Sequence, residues 1–315
     1  MELYYKYSDY LKNKFGEKVY KLPVNLPVTC PNRNGAISYG GCSFCGDDAA
    51  GFECLSNLIS VSEQLEKNKK YISNRYKAKK FIAYFQNYTN TFLPLNDFKK
   101  YISEANQPYI VDISISTRPD CVNSDYLDFL KKFKEETGIN ITIELGLQTS
   151  NYHTLAKINR GHSLGEYIFS ANQIKSYGFD LCTHVILNLP WDLEIDTIET
   201  SKIISAVGSD HVKLHALYVV KGSKMAEQYL NKEFDMLSME EYINRVILFL
   251  EYLNPKVSIQ RIIGRVPEEN SIFANWNTSW WKIKDMIEEK MTDLGTYQGK
   301  KFNYLNGALL KPLND

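Results

Sequence analysis

Three cysteines, Cys30, Cys42 and Cys45, lie in one glycine-rich run, Thr-Cys-Pro-Asn-Arg-Asn-Gly through Gly-Gly-Cys-Ser-Phe-Cys. Thiolates are the preferred ligands of iron–sulfur clusters and of structural zinc. A structural zinc site is closed by four protein ligands. A four-iron cluster on three cysteines leaves one iron open to a small molecule. The ligand count therefore separates a scaffold from a reactive centre. Cys54 is a candidate fourth ligand, and no histidine precedes His153, so only Cys54 could close a zinc site locally. The Cys42-x-x-Cys45 pair alone also suits a dithiol redox couple. Gly35, Gly40 and Gly41 favour a loop folded tightly round a cluster. An open four-iron cluster, a closed zinc site and a redox pair all stay open on these residues. Cys121 and Cys182 sit in β-rich contexts and read as small buried side chains.

The 315 residues carry no net charge, which argues against broad coating of nucleic acid. One local stretch, 67–80, is basic and free of acids. It reads as a solvated helix face or a phosphate contact. No long apolar run suggests a membrane span. The first residues hold charges and tyrosines without an apolar leader core, so a cytoplasmic location is expected. In such a chain six cysteines point to metal or redox chemistry before disulfides.

Short β-rich runs at 80–86, 109–116, 139–147, 180–189 and 211–219 alternate with amphipathic helical patterns at 60–76, 96–104, from 124 onward, 164–177 and 195–207. A further strand leads into Cys30. Asn123 or Ser124 caps the third helix, and Gly138, Gly178 and Gly208 each follow a helical pattern. Strand-then-helix repeats predict parallel strands with right-handed crossovers. Six units fit an open, partial barrel, whose chemistry gathers at the C-terminal strand ends. Those ends are polar in every case: Gln86 to Thr91, Ser114 to Asp120, Glu144 to Thr149, His184 to Asn188, and Lys213 with His215. Unpartnered buried polar groups cost roughly 1–3 kcal/mol each, so such a ring reads as the lining of a site. Three segments are expected: an N-terminal helical segment (1–20), a core (21–225) and an extension (226–315) that includes a strand at 256–263 and covers the open side.

With these residues in view, the chain resembles the radical S-adenosylmethionine superfamily. Within it, the chain is similar to the branch related to the elongator catalytic subunit, most closely the YhcC/YtqA subgroup. The long first cysteine gap, Phe44 before the last cysteine, and the runs YFQNYTNT, STRPDC, ELGLQT, INRGH, THVILNLP and VKLHALYVVKG carry the resemblance. It implies a partial (β/α)6 TIM-type barrel with a C-terminal α/β extension. It further implies a [4Fe-4S] cluster on Cys30, Cys42 and Cys45 whose open iron binds S-adenosylmethionine, reductive cleavage to a 5′-deoxyadenosyl radical, and an electron donor such as flavodoxin or ferredoxin. Gln86, Asn87 and Thr89 match the motif that meets the methionine amino group. Gln148 and Arg160 are spaced like a cofactor-contacting pair of the coproporphyrinogen-oxidase branch, and Arg160 suits the methionine carboxylate. Ser114 and His184 stand where that branch has acids for the ribose or amino group, and Glu144 is the alternative partner for the ribose hydroxyls. Trp191 replaces a frequent glycine, and Arg265 lies where many relatives have an acid. The resemblance also implies a transfer RNA substrate, at a wobble uridine carrying a 5-(carboxymethyl)aminomethyl-2-thiouridine side chain. The basic stretch and the aromatic C-terminal segment would then meet backbone and flipped base. A small metabolite or tetrapyrrole substrate, and a zinc-stabilised RNA-binding scaffold, are the alternatives.

Overall fold

The computed structural model describes residues 2–46, 54–265, 269–308 and 310. A first helix, α1 (Tyr7–Phe15), leads into β1 (Val19–Val24). Alternation then follows: α2 (Val61–Tyr76), β2 (Lys80–Phe85), α3 (Leu95–Glu104), β3 (Ile110–Thr117), α4 (Ser124–Thr137) and β4 (Asn140–Gln148). It continues through α5 (Tyr152–Lys157), α6 (Leu164–Ser176), β5 (Asp180–Ile186), α7 (Glu194–Ala206) and β6 (His211–His215). The chain ends with β7 (Val219–Val220), α8 (Lys224–Leu230), α9 (Met239–Tyr252), β8 (Ser258–Arg261), β9 (Ser271–Phe273) and α10 (Trp280–Asp293). Ser60 and Asn123 cap α2 and α4 through their side chains, and Gly138 ends α4 at φ 72°, as the sequence suggests.

Seven parallel strands form one curled sheet in the order β1-β2-β3-β4-β5-β6-β8. Parallel partial-barrel architecture is therefore as expected, with two corrections. The strand expected within the extension joins this sheet as its seventh member, pairing with β6. A second correction concerns length. The runs at 180–189 and 211–219 stop as strands at Ile186 and His215. Asn188 breaks the ladder by accepting Leu217 N–H at 2.5 Å, and Val219–Val220 pairs instead with β9.

Along β4 the side chains alternate between an apolar set that joins the main core and a polar set inside the barrel. Ile141, Ile143, Leu145 and Leu147 of β4 join the main core, while Asn140, Thr142 and Glu144 make polar contacts. Helix α1 closes the N-terminal end: Tyr7 and Leu11 pack on Val19 and Ile82. The Tyr7 and Tyr10 rings stand 4.9 and 4.4 Å from the His211 ring, and Tyr10 donates to Asp180 at 2.8 Å. With α1 packed at that end, the main cavity lies at the C-terminal strand ends. Among the described residues no helix is long and apolar enough to cross a membrane.

The basic stretch runs down α2 to the start of β2, at the end of the barrel opposite those strand ends. Lys67, Lys69 and Lys80 pair with Glu63, Glu66 and Glu17 at 2.8, 3.2 and 3.3 Å. These pairings fit the reading of this stretch as a solvated helix face.

Candidate active site

The loop after β1 is pinned to the segment that follows α5. Ser43 N–H donates to Ile158 O at 2.9 Å, and Asn159 Nδ2 donates to Gly41 O at 2.9 Å. Asn32 Nδ2 reaches back to Asn159 O at 2.5 Å. Gly41 sits at φ 87°, in the left-handed region that favours glycine. Cys30, Cys42 and Cys45 all line one cavity of about 990 Å³. Cys54 does not line it; its sulfur lies 3.4 Å from Asn87 Oδ1.

The Cys45 thiol and the guanidinium groups of Arg160 and Arg118 hold Cys42 well below the usual thiol range against its burial. Arg160 Nη1 stands 3.4 Å from Cys42 Sγ. The Cys42–Cys45 hydrogen bond, with burial, holds Cys45 well above the usual thiol range, so Cys42 is the member of the pair prepared as a thiolate ligand. Zinc would draw its sulfurs to about 3.8 Å of one another, given Zn–S bonds of about 2.3 Å. Among the described residues the only His, Cys, Asp or Glu trio with donor atoms all within 4.8 Å of one another is Glu144, Cys182 and His184, so the three loop thiols are not all drawn together, although Cys42 and Cys45 are hydrogen-bonded. Three thiols in the cavity, with Cys54 outside its lining, fit an open four-iron cluster rather than a zinc site closed by four ligands.

Gln86, Thr89, Glu144, Gln148, Arg160 and His184 line the same cavity. Asn87 and Ser114 do not: they are 1% and 0% exposed and turn away. Asn87 Nδ2 donates to Asn25 Oδ1 at 2.6 Å, and Ser114 Oγ donates to Glu144 Oε1 at 2.9 Å. Gln148 takes φ 77°, at a register shift between Gly146 and Gln148 in the β4–β5 pairing. Such backbone costs about 1–3 kcal/mol and persists where surrounding contacts impose it. Gly146 provides part of that constraint, since Arg160 Nη2 and His162 Nε2 lie 2.9 and 3.0 Å from its carbonyl oxygen. A Cβ on Gly146 would stand 2.6 Å from Arg160 Nη2 and 3.0 Å from Gln148 Nε2. Gly146→Ala is therefore expected to displace both side chains and weaken S-adenosylmethionine binding about tenfold, roughly 1.4 kcal/mol, with iron content unchanged in equilibrium dialysis and iron assays.

Deeper in the cavity Glu144 is the hub. Its carboxylate forms ion pairs with Lys21 and with Lys213, the latter at 3.3 Å, and receives His184 Nε2 at 2.8 Å. Burial would raise its pKa, but Lys21, Lys213 and His184 hold it well below the usual carboxylate range. Burial brings His184 down to about 4 and Lys213 down to about 8. With two lysines on its carboxylate, the Glu144–Cys182–His184 trio disfavours a cation. Sequence reading missed Lys21, Tyr84 and Arg261, which come from strands far apart in the chain, and gave Arg118 no role. Arg118 chelates Asp120 at 2.8 and 2.6 Å, and its remaining Nη1 is buried without a partner. At the cavity mouth stand Tyr88, Arg265, Trp280 and Trp281; the two indoles are 41% and 56% exposed.

Comparison with known proteins matches residues 25–202 to the Radical SAM superfamily and residues 209–293 to the Radical_SAM C-terminal domain. The uncharacterized protein MJ0486 of Methanocaldococcus jannaschii is 36% identical over 307 residues, covering 95% of this chain and 92% of that protein. The uncharacterized protein YtqA of Bacillus subtilis is 33% identical over 303 residues, covering 96% and 94%. Among solved structures, the archaeal Methanocaldococcus infernus Elp3 lacking its N-terminus superposes with TM-score 0.69 at 18% identity. That match covers 89% of this chain and 64% of the Elp3 chain, and shows a shared fold.

Proposed function

Because the chain belongs to the radical S-adenosylmethionine superfamily, and so is an enzyme using a [4Fe-4S] cluster and S-adenosylmethionine, we propose that it modifies the wobble-uridine side chain of transfer RNA, at a 5-(carboxymethyl)aminomethyl-2-thiouridine intermediate. Cys30, Cys42 and Cys45 would hold the cluster, which when bound supplies the electron for reductive cleavage of the sulfonium. An electron donor such as flavodoxin or ferredoxin would deliver that electron. Arg160, already seated on Gly146 O, would take the methionine carboxylate in bidentate form. Gln86, Thr89 and Gln148 line the wall beside it and would orient the amino group and adenosine. His184, neutral and donating to Glu144, would keep the Glu144 side of the floor fixed beneath the ribose.

The observation that carries the substrate reading is the mouth. Two exposed tryptophans flank a cavity whose rim also holds Arg265 and Tyr88. Exposed indoles beside cations suit stacking of an extruded base, worth about 1–3 kcal/mol per base. Soluble ligand pockets run roughly 300–1,000 Å³, so a cavity of about 990 Å³ is at the large end, with space for a second group beside the cofactor. Transfer RNA from cells lacking the gene is expected to accumulate the unprocessed wobble nucleoside by mass spectrometry. Identical nucleoside profiles with and without the gene would overturn this substrate.

A further inference from the structure

We propose that Arg261 is the seat for an anionic group of the substrate, a carboxylate or a phosphate, on the floor of the cavity. The inference rests on reading this cavity as the place where cofactor and substrate meet. Arg261 is the last residue of β8, at the C-terminal end of the seventh strand. Its partner in register on β6 is Lys213, and both side chains line the cavity. Two cations side by side on adjacent strands repel, and partly desolvated charges demand a counterion.

Lys213 has its counterion in Glu144 at 3.3 Å and donates to Tyr84 Oη at 2.7 Å. Arg261 has none among the described residues. Its Nη2 donates to His215 Nδ1 at 2.7 Å, and its Nε is buried without a partner. His215 is neutral, held well below the usual imidazole range by burial and by Arg261 itself, so it contributes no negative charge. Glu144 is the single carboxylate on this floor, and it already pairs with Lys213 and, from outside the lining, with Lys21, so no negative charge is left for Arg261. Glu269 belongs to the exposed mouth, where its carbonyl accepts from Lys221.

Space is also provided for the guanidinium. A Cβ on Gly264 would stand 2.8 Å from Arg261 Cζ, so the glycine leaves the group its position. Arg160 is far better placed for the methionine carboxylate, being on the segment after α5 that packs against the thiol loop, 3.4 Å from Cys42 Sγ. That division leaves Arg261 for the second anion in the cavity, the one that arrives with substrate.

The test uses cluster-loaded full-length protein saturated with S-adenosylmethionine, so that the cofactor's own anion site is filled. Acetate, inorganic phosphate and neutral acetamide serve as probes in saturation-transfer NMR. Acetate or phosphate is expected to bind and acetamide not to; Arg261→Gln should weaken the anion about tenfold or more, and Arg261→Lys less. Tighter binding of phosphate than acetate would identify a phosphate source, and the reverse a carboxylate. Arg261→Lys keeps the test alive should the glutamine variant fail to fold. Equal anion binding in wild type and variants, or no binding in wild type, would overturn the proposal. So would loss of S-adenosylmethionine binding in Arg261→Gln, which would give the residue to the cofactor. Since no RNA is present, a negative result here leaves the wobble-nucleoside assay untouched, and a failed nucleoside assay leaves the anion seat standing.

Discussion

Replacing Cys42 with alanine is expected to give a colourless protein that, after anaerobic reconstitution, holds essentially no iron and cleaves no S-adenosylmethionine above background. Cys42 is the buried member of the trio and the one whose thiolate is electrostatically prepared, by its hydrogen bond with Cys45 and by Arg160 and Arg118. Its removal takes away a metal ligand and also strands Arg160, whose Nη1 faces that sulfur. Substitutions one shell further out commonly cost about 10–100-fold in metal affinity or activity, so loss of the ligand itself should exceed that range. Cys54→Ala is the paired control. Its sulfur lies near Asn87 and outside the cavity, so it should retain colour and iron. Retention of iron in Cys42→Ala with loss in Cys54→Ala would reverse the ligand assignment.

The second large effect is on stability. Glu144→Gln is expected to destabilise the fold by about 3 kcal/mol in chemical denaturation, because removing one partner of a buried ion pair commonly costs about 3–5 kcal/mol and Lys21 and Lys213 keep some solvent contact. The Glu144 side chain is fully buried, while those of Lys21 and Lys213 are 21% and 11% exposed. The pH profile gives an independent signature. A carboxyl held well below its ordinary range in the fold stabilises fully above its unfolded value, about 4.3, and progressively less as pH falls through its folded value. Wild type should therefore lose stability on acidification below about pH 4 in a step that Glu144→Gln lacks. Lys213 has the same sign in a higher pH window. Its pKa of about 8 lies under its ordinary 10.5, so stability should rise as pH climbs from about 8 towards 10. A Glu144→Gln protein as stable as wild type, with the same acid limb, would show that the carboxylate is not the hub of the floor.

The thiol loop was legible because its ligands are close in sequence, and the barrel because strand and helix patterns recur with glycine punctuation. Polar strand ends announced the cavity for the same reason: Gln86, Gln148 and His184 are out of place in a core. What escaped was set by pairing between distant segments. Lys21 reaches Glu144 only because β1 closes the barrel on that side, and no local pattern connects them. Arg261 looked like part of an appended lobe because its short strand follows a change of pattern; pairing with β6 turns it inward. Asn87 and Ser114 have suitable side chains, but the turn after β2 directs Asn87 to Asn25, and Ser114 lies behind Glu144. Residues 67–80 carried no direction in the sequence; topology places them along α2 and at the start of β2.

The central claim is that three thiols hold the cluster and leave one iron for the cofactor. Electron–nuclear double resonance on the reduced, cluster-loaded enzyme with 15N-amino-labelled S-adenosylmethionine tests it most directly. A resolved coupling to the labelled nitrogen, unchanged in Cys54→Ala, is the expected result. No coupling in wild type, with cluster signals altered by Cys54→Ala, would mean that a fourth protein sulfur occupies that iron and would contradict the account.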